Sequence, residues 1–115
     1  MPSLIQGRIV FPIRPVPDPQ GRNAKPNRPF VVISSNEEIQ AGGLIDLIGI
    51  TSKNDPEQAE NQVELPTGYQ ALTNLKGPWS AALCTWKIAL QSDEFQLGKG
   101  FVRPKELRAI LQKLK

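Results

Sequence analysis

The sequence predicts a small, mainly β fold: an antiparallel, strongly curved sheet or small barrel followed by one helix. Three observations support this class. Several short apolar or alternating segments have the pattern of strands, no helical segments alternate with them, and an amphipathic segment closes the chain. At 115 residues the chain can bury one core but not two, so we expect one domain over residues 1–115.

The first predicted strand covers residues 8–14. Its expected buried face is formed by Ile9, Phe11 and Ile13. Because Pro12 has no amide hydrogen to donate, we expect this strand to lie at a sheet edge or to bulge there. Residues 15–27 contain four prolines and a glycine, which predicts a structureless loop that is functional or mobile.

The remaining strands are predicted from apolar runs and from alternation. Residues 30–34 and 44–51 are β-branched runs typical of strands buried on both faces. After an acidic connection, residues 63–65 predict a short strand. Residues 81–90 alternate and predict a half-buried strand. The apolar face of that strand is expected to be Ala82, Cys84, Trp86, Ile88 and Leu90.

The last segment, residues 104–115, predicts a helix. Pro104 suits its first turn, and Glu106 lies near the positive end of the helix dipole. An apolar stripe at helical spacing is formed by Leu107, Ile110, Leu111 and Leu114.

The composition excludes several classes of enzyme. The chain has no histidine and one cysteine, so histidine-based acid–base catalysis, Ser-His-Asp or Cys-His systems and zinc sites built on His or several Cys cannot form. No apolar run approaches the roughly 20 residues that a membrane span needs. The N-terminus also lacks a secretory pattern, so we expect a cytoplasmic protein without membrane association.

The net charge of +3 is unevenly distributed. Through Arg28 the chain carries five bases against one acid, whereas residues 37–64 carry seven acids against one base. A concentrated basic segment is expected of a phosphate-binding surface, although a solvated surface of mixed charge fits the pattern equally well.

Two groups of polar residues stand where predicted strands begin or end. Arg28, before the strand at 30–34, has a planar head suited to bidentate phosphate recognition. Thr51, Ser52 and Lys53 place two hydroxyls and an ammonium at the end of the strand at 44–51, where they can bind a phosphate or a ribose hydroxyl. Each group alone is more often structural than catalytic.

A third group surrounds the turn at Gly77 and Pro78. Lys76 adds a positive charge there. Trp79 can stack on a nucleobase, but packing in a core or a dimer interface is the commoner role of such a residue.

The order and spacing of these motifs resemble the MazF/PemK toxins of prokaryotic toxin–antitoxin pairs. The similar segments are Gly-x-Ile-Val from Gly7, Arg-Pro-Phe-Val-Val-Ile-Ser from Arg28, Ile-Gly-Ile-Thr-Ser ending at Ser52, Leu75-Lys76-x-x-x-Ser80, and the stretch from Gly100 to Leu107. The resemblance covers about residues 7–114. The sequence departs from the family at Arg8, where many relatives have aspartate, and in the loop at 15–27, which is longer and richer in proline.

The resemblance implies an SH3-like barrel of about five to seven strands with a C-terminal helix, usually as a homodimer. It implies an endoribonuclease that cuts single-stranded RNA, including mRNA, without a metal or other cofactor and so inhibits translation and growth. The products are a cyclic phosphate and a 5′-hydroxyl. The implied partner is a cognate antitoxin that lays an acidic, disordered tail across the RNA groove.

The family's catalytic pair, a loop arginine and a third-strand threonine, maps onto Arg28 and Thr51. In such cleavage the RNA's own 2′-hydroxyl attacks phosphorus, so Arg28 would stabilise charge on the phosphoryl oxygens and Thr51 would position the phosphate or the attacking hydroxyl. Further expected RNA contacts are Lys25, Ser52, Lys53 and Lys76. Two alternatives remain: a gyrase poison of the CcdB type, which depends on C-terminal residues, and a catalytically silent SH3-like binding module.

Overall fold

The protein is described here by a computed structural model that covers residues 4–17, 24–25, 27–66, 69–75 and 79–114. The strands within these residues are β1 (Arg8–Pro12), β2 (Val16–Pro17), β3 (Ala24–Lys25), β4 (Phe30–Val32), β5 (Ile45–Thr51), β6 (Gln62–Glu64), β7 (Ala81–Leu90) and β8 (Phe95–Phe101). The α-helices are α1 (Asn36–Ala41), α2 (Gln70–Thr73) and α3 (Pro104–Lys113), and 3₁₀ helices cover Pro56–Asn61 and Ser92–Glu94.

Six strands form one barrel-like sheet in the order β6-β7-β5-β4-β1-β8, and every neighbouring pair is antiparallel. In the described part of the chain the sheet is open, with β6 and β8 at its edges. The predicted mainly β fold with a C-terminal helix is therefore confirmed. No helix in these residues is long and apolar enough to cross a membrane.

Apolar side chains cover both faces of the sheet and form two cores, so the expectation that the chain can bury one core but not two is wrong. Ile48 and Ile50 of β5 point into a helix-side core, where they pack with Ile110 of α3. Leu47 of the same strand points the other way, into a ribbon-side core that also contains Val16 of β2. Because successive side chains of a strand alternate between faces, the β-branched run of β5 fills both cores, as predicted.

β7 contains a bulge that changes which face its residues occupy. One step on β5, from Ile48 to Gly49, corresponds to four steps on β7, from Lys87 to Leu83, so β7 carries three extra residues at this point. The predicted single apolar face of β7 is therefore wrong. Ala82 and Cys84 belong to the helix-side core, whereas Trp86 belongs to the ribbon-side core and Ile88 and Leu90 pack against it.

The predicted loop at 15–27 is also partly wrong. β2 and β3 pair as a two-stranded antiparallel ribbon, with Val16 opposite Lys25 and Pro17 opposite Ala24. Prolines are compatible with so short a ribbon because it has few backbone hydrogen bonds to lose.

The expectation for Pro12 fails in a different way. β1 lies between β4 and β8 rather than at an edge, and its irregularity falls between Arg8 and Val10. The proline is tolerated because the pairing with β4 stops at Val10, so no amide is needed on that side. Ile13, expected in the buried face, is 52% exposed beyond the end of β1.

Candidate active site

A cavity of about 290 Å³ opens where β4 begins and where β5 and α2 end. Its walls come from four separate parts of the chain. The lining residues are Asn27, Arg28, Pro29, Ile50, Thr51, Ser52, Thr73, Asn74, Leu75 and Trp86. The structure therefore brings together three residues singled out from sequence, Arg28, Thr51 and Ser52, although Arg28 is more than twenty positions from the other two.

Arg28 is held in place by its backbone. The carbonyl of the next residue, Pro29, accepts a hydrogen bond from the amide of Ile50 at 3.0 Å, which fixes this segment against β5. A residue before proline is also restricted to extended conformations. The Arg28 side chain is half-buried, and its Cζ lies 5.4 Å from the centroid of the Trp86 ring. The guanidinium thus sits on the cavity wall with one flat aromatic neighbour.

Thr51 is the last residue of β5, opposite Ala81 of β7, and its side chain is half-buried. Its Oγ1 accepts a hydrogen bond from the backbone amide of Lys53 at 3.0 Å. A hydroxyl that accepts one bond still has its own hydrogen to donate. Thr51 can therefore offer a hydrogen bond to an anion in the cavity.

Trp86 is one of the lining residues that sequence reasoning did not single out for the site. It enters the cavity wall because of the β7 bulge, and it rests on Gly49 of β5. A Cβ added to Gly49 would lie 2.1 Å from Cε3 of Trp86, so only glycine fits beneath the ring. The signal in the sequence is Gly49 itself, since a glycine within a buried strand marks a bulge or a close approach.

Two asparagines, Asn27 and Asn74, also line the cavity. Both have a φ of 60°, and they are the non-glycine residues with positive φ in the described part of the chain. Asparagine adopts this conformation more readily than most residues, and such backbone positions concentrate at functional sites. The pair supports the cavity as a site and places two amide side chains at its rim.

The described lining is electropositive, since Arg28 is its single ionisable side chain. The hydroxyls of Thr51 and Ser52 and the amides of Asn27 and Asn74 add uncharged hydrogen-bonding groups. This combination suits an anion with several oxygen atoms, such as a phosphodiester. The one thiol of the protein, Cys84, lies outside this lining, and burial raises its pKa.

A family model of PemK-like, MazF-like toxins of type II toxin–antitoxin systems matches residues 6–115. The chain belongs to this family. No curated protein sequence matches it. The membership rests on nearly the whole length of the chain, in agreement with the motif order found in the sequence.

Solved MazF structures share the fold. MazF from Deinococcus radiodurans is 17% identical, with a TM-score of 0.70 and coverage of 99% of this chain and 94% of that chain. An endoribonuclease in complex with its cognate antitoxin from a mycobacterial species is 16% identical, with a TM-score of 0.68 and coverage of 97% and 91%. A MazE–MazF complex from Deinococcus radiodurans is 17% identical, with a TM-score of 0.65 and coverage of 96% and 90%.

The lysines predicted to contact RNA are not among the described residues that line the cavity of this MazF-like chain. Lys53 is exposed and is not among the lining side chains, although its backbone orients Thr51. Lys76 and the side chain of Lys25 lie outside the described residues. Arg8, one of the bases of the N-terminal segment, is only 4% exposed. It therefore cannot belong to a phosphate-binding surface, and that interpretation of the segment is wrong at this residue.

Proposed function

We propose that this MazF-like toxin is an endoribonuclease that cuts single-stranded RNA at the cavity between Arg28 and Thr51. One observation carries the proposal: two residues predicted from sequence to act as a pair line the same cavity, whose described lining has no other ionisable side chain than Arg28. The mycobacterial structure of the same fold is described as an endoribonuclease, which supports this activity for the family.

The proposed reaction uses the RNA's own 2′-hydroxyl as nucleophile. The 2′-oxygen loses its proton as its bond to phosphorus forms, and the 5′-oxygen takes a proton as its bond to phosphorus breaks. The products are a cyclic phosphate and a 5′-hydroxyl, so no protein nucleophile is required. This suits a lining whose polar groups are an arginine, hydroxyls and amides.

Arg28 is the proposed electrostatic catalyst. Negative charge grows on the non-bridging oxygens of the phosphate during attack, and a fixed cation stabilises the transition state more than the ground state. The contact of its guanidinium with Trp86 and the bond that fixes the neighbouring Pro29 are present before RNA arrives, so little reorganisation is needed. Thr51 donates its hydroxyl hydrogen to a phosphate oxygen or orients the attacking hydroxyl, as its bond from Lys53 allows.

The surroundings of the cavity are proposed to bind the rest of the RNA. Ser52 lines the cavity, and Lys25, Lys53 and Lys76 remain the further RNA contacts predicted from the sequence. The proposed physiological state is a cytoplasmic homodimer inhibited by a cognate acidic antitoxin. The antitoxin part of this proposal is supported by the complexes of similar structures with antitoxin.

The test is cleavage of a long single-stranded RNA by the purified protein in excess EDTA. We expect fragments that end in cyclic phosphate and begin with a 5′-hydroxyl. The Arg28→Ala variant should lose nearly all of this cleavage, and Arg108→Ala, which removes an exposed arginine of α3, should retain it. Intact RNA with the unmodified protein, or equal cleavage by Arg28→Ala, would contradict the proposal.

A further inference from the structure

Trp86 lines the cavity and contacts three other parts of the chain, although the proposed function gives it no role. Its ring lies against Gly49 of β5, and the ring of Phe30 meets it edge-on with centroids 5.0 Å apart. Its indole Nε1 donates a hydrogen bond of 3.1 Å to the carbonyl of Pro17 in the β2–β3 ribbon. These contacts hold a ring that is 6% exposed in one orientation.

The same ring is the flat neighbour of Arg28. The Arg28 Cζ lies 5.4 Å from its centroid, within the range in which a guanidinium is attracted to an aromatic face. Since the ring is fixed and the arginine side chain is long and flexible, the ring determines where the guanidinium rests. Trp86 is buried in the ribbon-side core, so it supports Arg28 without itself offering a surface to RNA.

We propose that Trp86 is a positioning residue that holds the guanidinium of Arg28 at the place where phosphate charge develops. This inference rests on the proposed ribonuclease function. It adds a residue that the sequence motifs did not assign to the site. It also gives a reason for both Gly49 and the bulge of β7, since together they place the indole of Trp86 beside the guanidinium of Arg28.

A graded series of variants separates this role from a structural one. Trp86→Phe keeps a ring that attracts a cation less strongly than an indole, and Trp86→Leu removes the ring; both lose the bond to Pro17. We expect kcat to fall about threefold in the first and up to about thirtyfold in the second, since cation–π contacts of this kind have that range.

Several outcomes of this series would overturn the proposal. Equal losses in Trp86→Phe and Trp86→Leu would assign the effect to the Pro17 bond. A rise in KM with unchanged kcat would assign it to RNA binding, because a residue that positions a transition-state contact lowers kcat instead. The matched controls are Trp79→Phe and Trp79→Leu, since Trp79 bonds to Glu64 outside the cavity, and they should keep the unmodified kcat.

A double-variant cycle tests whether Trp86 acts through Arg28. In the Arg28→Ala background, Trp86→Leu should change the residual kcat by less than about twofold, because groups that act as a unit are not additive. Full additivity would show that Trp86 acts independently of Arg28. Each variant is compared at a temperature where unfolding curves show it to be folded, since Trp86 is also a core residue.

A spectroscopic experiment tests the contact between Trp86 and Arg28 without a measurement of activity. The chain has two tryptophans, so ¹⁵N-labelled Trp79→Phe protein has one indole N–H signal, that of Trp86. Arg28→Gln should shift this signal because it removes a nearby cation, and Arg108→Gln should leave it unchanged. If RNA stays intact but the signal shifts, the proposed function fails and the Trp86–Arg28 contact stands. If RNA is cut but the signal does not shift, the positioning role fails alone.

Discussion

Two arginines of this protein each lie beside an aromatic ring, but their guanidinium groups face different parts of the molecule. Arg8, on β1, has its Cζ 4.8 Å from the centroid of the Phe101 ring. Its Nε donates a hydrogen bond of 3.0 Å to the carbonyl of Gly98, and its Nη2 donates to the same oxygen. Gly98 has no room for a side chain, since an added Cβ would lie 2.6 Å from the carbonyl oxygen of Ile9.

Arg28 is built from the same parts: an arginine, an aromatic ring at 5.4 Å, and a strand glycine, Gly49, with no room for a Cβ. What differs is the surroundings of the guanidinium. That of Arg8 is buried and bonds a backbone carbonyl, whereas that of Arg28 lines a cavity together with Thr51. An arginine beside an aromatic ring therefore does not by itself indicate a functional site; the cavity and the hydroxyls that line it with Arg28 distinguish the proposed site.

The largest expected difference between the two regions is in catalysis. Arg28→Ala should lower kcat by about a hundred- to a thousandfold, which corresponds to about 2.7–4 kcal/mol of lost transition-state stabilisation. Because the side chain is half-buried at a cavity wall, the free energy of unfolding should change by less than about 1 kcal/mol. Steady-state RNA cleavage and urea unfolding of the same preparation measure both quantities.

The two glycines should come next. Gly49→Ala and Gly98→Ala should each lower the free energy of unfolding by about 3 kcal/mol, the upper range for overpacking, because each Cβ would overlap a neighbouring atom. The variants should differ in activity: Gly49→Ala displaces Trp86 and lowers kcat, and Gly98→Ala leaves kcat of the folded protein unchanged. Equal kcat values in the two variants would contradict the view that the surroundings of Arg28 serve catalysis and those of Arg8 do not.

Arg8 itself should affect stability alone. Arg8→Met removes two hydrogen bonds to the Gly98 carbonyl and should lower the free energy of unfolding by about 1–3 kcal/mol. RNA cleavage per folded molecule should match that of the unmodified protein. A loss of cleavage in excess of the unfolded fraction would make Arg8 part of the site after all.

The smallest expected effect lies at α3, away from both arginines of the comparison. Glu106 accepts a hydrogen bond of 2.7 Å from Arg103, and this bond is the main reason why its pKa lies below the usual 4.5. Since the carboxylate is favoured in the folded state, its contribution to stability is present above pH 4.5 and is lost as the pH falls through the lowered pKa. Below pH 4.5 the stability of Glu106→Gln should therefore depend less on pH in acid titrations followed by circular dichroism.

Much of this fold could be predicted because its strongest signals are local. The β-branched run of β5 and the apolar stripe of α3 follow directly from side-chain periodicity. α1 could also have been predicted, since Ser35 and Glu38 form a capping box visible in the sequence. β8 was missed because two of its seven residues, Gly98 and Gly100, break the β pattern in order to let neighbours approach closely.

The site was predictable to the extent that motif order revealed it. Arg28 and Thr51 came from the resemblance to the family, and the structure places them at one cavity. Trp86 could not be assigned, because its position depends on a three-residue bulge that alternation alone does not reveal. Asn74 was missed for a related reason: its contribution depends on a positive φ at the end of α2, which is a property of the backbone.

The cavity has a consequence for when a newly made molecule acquires its site. Arg28 and Trp86 are separated by about half of the chain, and the ring reaches the arginine only after β7 has paired with β5. A nascent chain that ends before β7 contains Arg28 and Thr51 but lacks the wall that holds the guanidinium. Because long-range strand pairing is slow, the cavity wall is complete only after β7 has been synthesised and has paired with β5.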